Sequence, residues 1–189
     1  YDVRLDSDGY LADYKRIGEN DDAEGVKWYA YLKIHSPSPW YNNQTYVNTL
    51  DKKAIERIIE VTHERYAETV GDEFGGTVPS IFTDEPQFTR KQTLRNAADR
   101  DDVILPWTDD LPQTFEAAYG FSIVDKLPEL FWDLPESKPS VHRYRYHDFI
   151  SELFSSSFAD NIGSWCRKNG IALTGHMMEE PTLRSQCAA

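Results

Sequence analysis

The strongest constraint in this sequence is an order of segments that occurs twice: a helical stretch, a short apolar run, then acidic residues. From Asp51, a favourable helix-capping type, Ile55, Ile58, Ile59, Thr62 and Tyr66 recur at helical spacing until Gly71. Val78-Pro79-Ser80-Ile81-Phe82 then reads as a buried strand, and it ends in Thr83-Asp84-Glu85-Pro86. The second instance is longer. Residues 141–168 place Tyr146, Phe149, Ile150, Leu153, Phe154, Phe158, Ile162, Trp165 and Cys166 on one broad apolar face, and Asn169-Gly170 stops the helix. Ile171-Ala172-Leu173-Thr174-Gly175-His176 follows as a strand and ends at Met177-Met178-Glu179-Glu180. Strands alternating with helices predict parallel pairing through crossover helices.

The expected fold class is therefore α/β. A closed eight-stranded barrel usually takes about 250 residues, and this chain has 189. Three strands of the strand-then-helix kind are countable, which fits either a small open α/β sheet or part of a larger barrel. The last strand has no helix after it, so the favoured expectation is an incomplete (β/α)8 TIM-barrel segment forming one domain over 1–189. Residues 1–25 predict an N-terminal β-hairpin and loop, with the turn at Asp6-Ser7-Asp8-Gly9. Residues 26–34, rich in aromatic and β-branched types, predict a strand that stops at Ser36-Pro37-Ser38-Pro39. Residues 89–140 read as an insertion between a barrel strand and its helix, charged and irregular at first and then carrying two short helices at 113–119 and 123–132.

Charge and composition narrow the function. Lys and Arg number 20 against 32 Asp and Glu, for a net charge of −12. That balance argues against nucleic acid and anionic membrane surfaces as partners, since a basic footprint supplies most of their attraction. No apolar run approaches the roughly 18 residues of a membrane span. The first ten residues lack the order of a signal peptide. Cys166 and Cys187 are too few for a disulfide framework or a zinc site. The acidic pairs Asp101-Asp102 and Asp109-Asp110 lack a calcium-loop pattern and read as solvated loop.

In α/β folds the ligand site lies beyond the carboxyl ends of the strands. Two of these ends present glutamates, Glu85 and the pair Glu179-Glu180; the third presents the aromatic and amide side chains of Trp40-Tyr41-Asn42-Asn43-Gln44. Cleavage of a glycosidic bond needs one protonated carboxyl for the leaving oxygen and one ionised carboxylate that attacks or activates water. Glutamates from different strands of one sheet meet that need. Asp84 either favours the protonated form of Glu85 through like-charge repulsion or binds a sugar hydroxyl. Trp40 offers a flat apolar face, and Asn43, Gln87 and His176 offer hydrogen bonds to hydroxyls. The competing readings are ordinary: solvated glutamates, packing under a loop for Trp40, and a strand-end histidine for His176.

Several of these segments also resemble a known group. Ser38-Pro39-Trp40, Gln44-Thr45-Tyr46-Val47, Leu50-Asp51, Thr62-His63-Glu64-Arg65-Tyr66 and Ile81-Phe82-Thr83-Asp84-Glu85-Pro86 are similar to segments of large bacterial glycoside hydrolases related to the α-L-rhamnosidases of family 106. So are Thr174-Gly175-His176-Met177-Met178-Glu179-Glu180 and, in the insertion, Tyr119-Gly120 and Leu127-Pro128-Glu129-Leu130. The resemblance implies a barrel within a longer chain, a carbohydrate substrate, Glu85 as general acid and Glu180 as the second carboxylate. It also implies an extracellular or periplasmic place of work and calcium assistance, with no metal ligands that can be placed on this sequence. If the second carboxylate sits on a later strand, Glu180 binds substrate instead. The rival expectation is a non-catalytic carbohydrate-binding or degenerate barrel domain that keeps the Trp40 platform. Neither reading sets the oligomeric state.

Overall fold

The structure, a computed structural model, describes residues 1–176. In chain order it contains β1 (Asp2–Leu5), β2 (Leu11–Lys15), β3 (Val26–Lys27), α1 (Lys52–Ile58), α2 (Glu64–Val70), β4 (Ser80–Asp84), α3 (Leu111–Tyr119), α4 (Val141–Phe154), α5 (Asp160–Lys168) and β5 (Ala172–His176). These elements form two compact units. Tyr1–Thr45 with Arg90–Phe149 makes the first, and Tyr46–Thr89 with the chain from Ile150 onward makes the second.

The first unit is built on an antiparallel sheet in the order β2-β1-β3. The β1–β2 turn forms because the Asp6 side chain accepts the N–H groups of Asp8 and Tyr10, at 3.0 and 2.9 Å, and because Gly9 takes a left-handed φ of 88°. Strand β3 is only two residues long. Its neighbour β1 offers partners at Asp2 and Val3 alone, so the expected strand over 26–34 ends after Lys27. Tyr29, Tyr31, Leu32 and Ile34 are instead exposed. Aromatic and β-branched composition describes a fit to a half-buried pleated surface, and no strand pairs with this segment to provide one.

Val3, Leu11 and Trp132 form one apolar centre of this unit. Leu111, Phe115, Ile123, Leu130 and Tyr146 are also fully buried. Phe115 meets Phe121 and Phe149 edge-on, at centroid distances of 5.3 Å each. Ser140 caps α4: its hydroxyl accepts the Arg143 N–H at 3.1 Å.

The second unit holds the parallel pair. β4 and β5 run in register from Ser80↔Ala172 to Asp84↔His176. Asp51 caps α1 by accepting the Lys53 N–H at 2.9 Å. α1 continues into α2 through a π turn at Ile59–His63, where the Glu64 N–H reaches back to the Ile59 carbonyl. α4 continues into α5 through a second π turn at Ser155–Ala159. There the Ser157 hydroxyl, buried, donates to the Leu50 carbonyl at 3.1 Å. Ile55, Ile59, Ile162, Trp165, Cys166 and Ile171 are the buried centre, and Ile81 and Leu173 from the strands pack against it. Helices thus cover one face of the sheet. Phe82, on the alternate face, stays 55% exposed.

Among the described residues no helix is long and apolar enough to cross a membrane.

Candidate functional site

The carboxyl ends of β4 and β5 bring three of the expected residues together. Asp84 and His176 are direct neighbours across the parallel ladder, and the His176 Nδ1 lies 3.6 Å from an Asp84 carboxylate oxygen. Glu85 follows at the first residue past β4. Its N–H donates to the His176 carbonyl at 3.0 Å, which ties the residue to the end of the neighbouring strand. Glu85 also has a φ of 44°. A non-glycine residue in this left-handed region is strained by about 1–2 kcal/mol and persists only where its surroundings hold it. The next residue, Pro86, is buried, so the chain turns inward directly after the glutamate.

This close junction depends on Gly175. It pairs with Thr83, and a β-carbon there would stand 1.9 Å from the Thr83 carbonyl oxygen. On the neighbouring pair, Phe82 contacts the His176 ring edge-on at 5.2 Å. Asp84, Glu85 and His176 are all exposed. The arrangement is an open surface with two carboxylates, an imidazole and one aromatic edge. It can donate and accept hydrogen bonds to hydroxyl groups and can move a proton.

Gln87 sits two residues further along and is anchored through its backbone. Its carbonyl accepts the Thr49 hydroxyl at 2.7 Å, and its N–H donates to the Tyr46 hydroxyl at 3.4 Å. The side chain is not used in these bonds. Trp40 and Asn43 belong to the first unit. Trp40 lies in a 3-10 turn, Pro39–Tyr41, whose start is capped by the Ser38 hydroxyl accepting the Trp40 N–H. Its ring is 87% exposed. Asn42 and Asn43 both have left-handed φ values, 54° and 58°, which amide side chains tolerate better than most. Glu180, with Glu179, lies outside the described residues, so its distance from Glu85 is not part of this geometry.

Among the described residues no group of three or more His, Cys, Asp or Glu is placed to hold a metal ion. The Asp99 and Asp101 carboxylates are both engaged by Arg95. The hydrogen bonds from the Arg95 side chain and backbone hold Asp99 far below the usual carboxylate range.

Sequence reasoning overlooked a second polar centre, in the first unit. Glu129, buried, accepts hydrogen bonds from the Tyr14 hydroxyl at 2.5 Å, the Ser140 hydroxyl at 2.6 Å and His142 Nδ1 at 2.8 Å. Burial alone would raise its pKa, but the bonds from Ser140, Tyr14 and His142 outweigh that and lower it. Its contacts join β2, the 3-10 segment Ile123–Leu130 and the start of α4, which is a structural tie. Only the buried position of a glutamate within Leu127-Pro128-Glu129-Leu130 could have signalled it.

No family model, no curated protein and no solved structure matches the chain.

Proposed function

We propose that this chain is the catalytic segment of a glycoside hydrolase, with a (β/α)8-type sheet as its frame. Glu85 is the general acid. In the reaction it protonates the glycosidic oxygen as the bond from that oxygen to the sugar carbon breaks. The second carboxylate, assigned to Glu180, takes a proton from the attacking water or, in a retaining variant, attacks the sugar carbon itself. Asp84, His176 and Gln87 bind sugar hydroxyls, and Trp40 and Asn43 supply a platform and an amide. An α-L-rhamnoside is the substrate type that the family resemblance favours.

The observation that carries this reading is the strained Glu85, pinned at the strand end beside Asp84 and His176. Backbone strain clusters at functional positions. Helices on one face of the β4–β5 pair and exposed Phe82 on the other add support, because barrel strands send alternate residues toward the helices and toward the barrel interior.

The alternative is sugar binding without cleavage, favoured by the exposure of Trp40 beside the left-handed Asn42 and Asn43. One experiment separates the two. The full protein is incubated with α-L-rhamnosides and plant polysaccharides, and released sugar is measured for the parent, Glu85→Gln and Glu180→Gln. Hydrolysis that both substitutions abolish supports the enzyme. Saturable binding without sugar release by the parent supports the binding domain.

A further inference from the structure

The first unit carries a cleft that none of the candidate site residues lines. Its volume is about 390 Å³, within the range of roughly 300–1,000 Å³ typical of small-molecule sites. Trp28 and Trp132 form an apolar corner, with rings edge-to-face at 5.1 Å and 77°. Val3, 2% exposed, completes that wall. The Trp28 indole N–H is buried without an acceptor among the described residues.

The polar side of the cleft is asymmetric. Arg4 lines it but is already paired, with Asp13 and with Glu24, the latter at 2.8 Å. Arg100 also lines it and forms no ion pair among the described residues; its guanidinium donates only to the adjacent Asp99 carbonyl at 3.2 Å. In a chain of net charge −12, an uncompensated guanidinium beside two tryptophans selects for an anion. Glu24 adds an exposed carboxylate that accepts hydrogen bonds from hydroxyl groups.

We propose that this cleft binds a carboxylated monosaccharide, a uronate ring. The carboxylate pairs with Arg100, hydroxyl groups donate to Glu24, and the ring lies against the tryptophan corner. A neutral hexose leaves Arg100 without its partner. A flat aromatic acid has no hydroxyls for Glu24. The choice of a sugar rests on the carbohydrate reading above, whereas the anion preference rests on Arg100 alone.

The test titrates the full protein with glucuronate, galacturonate and glucose, followed by tryptophan fluorescence and ligand-observed NMR. The expected result is saturable uronate binding that Arg100→Gln weakens about tenfold, with glucose binding at least about tenfold more weakly than uronate. Glu85→Gln leaves uronate binding unchanged. Uronate affinity unaffected by Arg100→Gln, equal affinity for glucose, or no saturable response to uronate overturns the proposal. Hydrolysis assays report on Glu85 separately: Glu85-dependent cleavage without uronate binding removes the cleft and keeps the enzyme. Uronate binding without cleavage keeps the cleft and removes the enzyme.

Discussion

Gly175 stands directly across the parallel ladder from Thr83, so close that a β-carbon on Gly175 would lie 1.9 Å from the Thr83 carbonyl oxygen. The next pair along is Asp84 and His176, and the residue after that is Glu85. The absence of a side chain at one position therefore sets how closely the two candidate-bearing strand ends approach.

Gly175→Ala is expected to destabilise the protein by about 2 kcal/mol or more, because backbone rather than a movable side chain blocks the new methyl group. Gly71→Ala is the control. Gly71 has a φ of −58° and nothing within 4 Å of an added β-carbon, so that change is expected to be neutral or stabilising by about 0.4–1 kcal/mol. Urea denaturation midpoints of the two variants check the pair.

At Glu85 stability and function are expected to oppose each other. Glu85→Gly removes the side chain that makes φ 44° costly, and the protein gains up to about 1 kcal/mol in thermal or urea unfolding. The same variant loses hydrolysis. A Glu85→Gly protein less stable than the parent would mean that the glutamate side chain stabilises the strand end.

Much of the local structure was legible in the sequence, and the reasons are physical. The Asp6-Ser7-Asp8-Gly9 turn, the Asp51 cap and the periodicity of residues 141–168 are short-range signals, and the hairpin, α1 and the α4–α5 helix follow them. Residues 28–34 did not form the expected strand because a strand exists only where a neighbour pairs with it. The π turns at Ile59–His63 and Ser155–Ala159 were not legible either, since hydrophobic spacing does not resolve one extra residue in a turn. At the candidate site, an acidic run after an apolar one marked Asp84 and Glu85 as strand-end residues. The left-handed backbone at Glu85 and the bond to His176 depend on pairing across 91 residues, which no local pattern encodes. Glu129 was missed for the same reason, its partners being 115, 11 and 13 residues away.

Glu129 is expected to contribute to acid sensitivity. Burial opposes its ionisation, but the hydrogen bonds from Ser140, Tyr14 and His142 win, so its folded pKa lies below the ordinary value. Its stabilisation is thus fully present above about pH 4.5 and is lost as pH falls through the folded value. Glu129→Gln should cost about 1–3 kcal/mol at neutral pH and flatten the acid limb of the stability profile. Unfolding free energies between pH 7 and pH 3 measure both effects.

His63 acts in a higher window. It is buried edge-on to Trp165 at 5.2 Å. Burial lowers its pKa, and although the Ile58 carbonyl is near enough to oppose that shift, neither ring nitrogen completes a hydrogen bond. The unfolded chain binds a proton near pH 6.5 that the folded chain resists. Stability is therefore expected to fall as pH drops from about 6.5 toward the folded value. His63→Leu should remove that slope, seen as equal unfolding midpoints at pH 7 and pH 5.5, whereas an unchanged slope would assign it to another group.

The most direct test of the central claim is the leaving-group dependence of hydrolysis by the full protein carrying Glu85→Gln. A general acid matters most where the departing oxygen is basic. The variant is expected to lose about 10²–10⁴-fold in kcat/KM on glycosides with poor leaving groups and far less on aryl glycosides with good ones. An equal loss on both kinds of substrate, or no loss on either, would contradict the assignment of Glu85 as the acid.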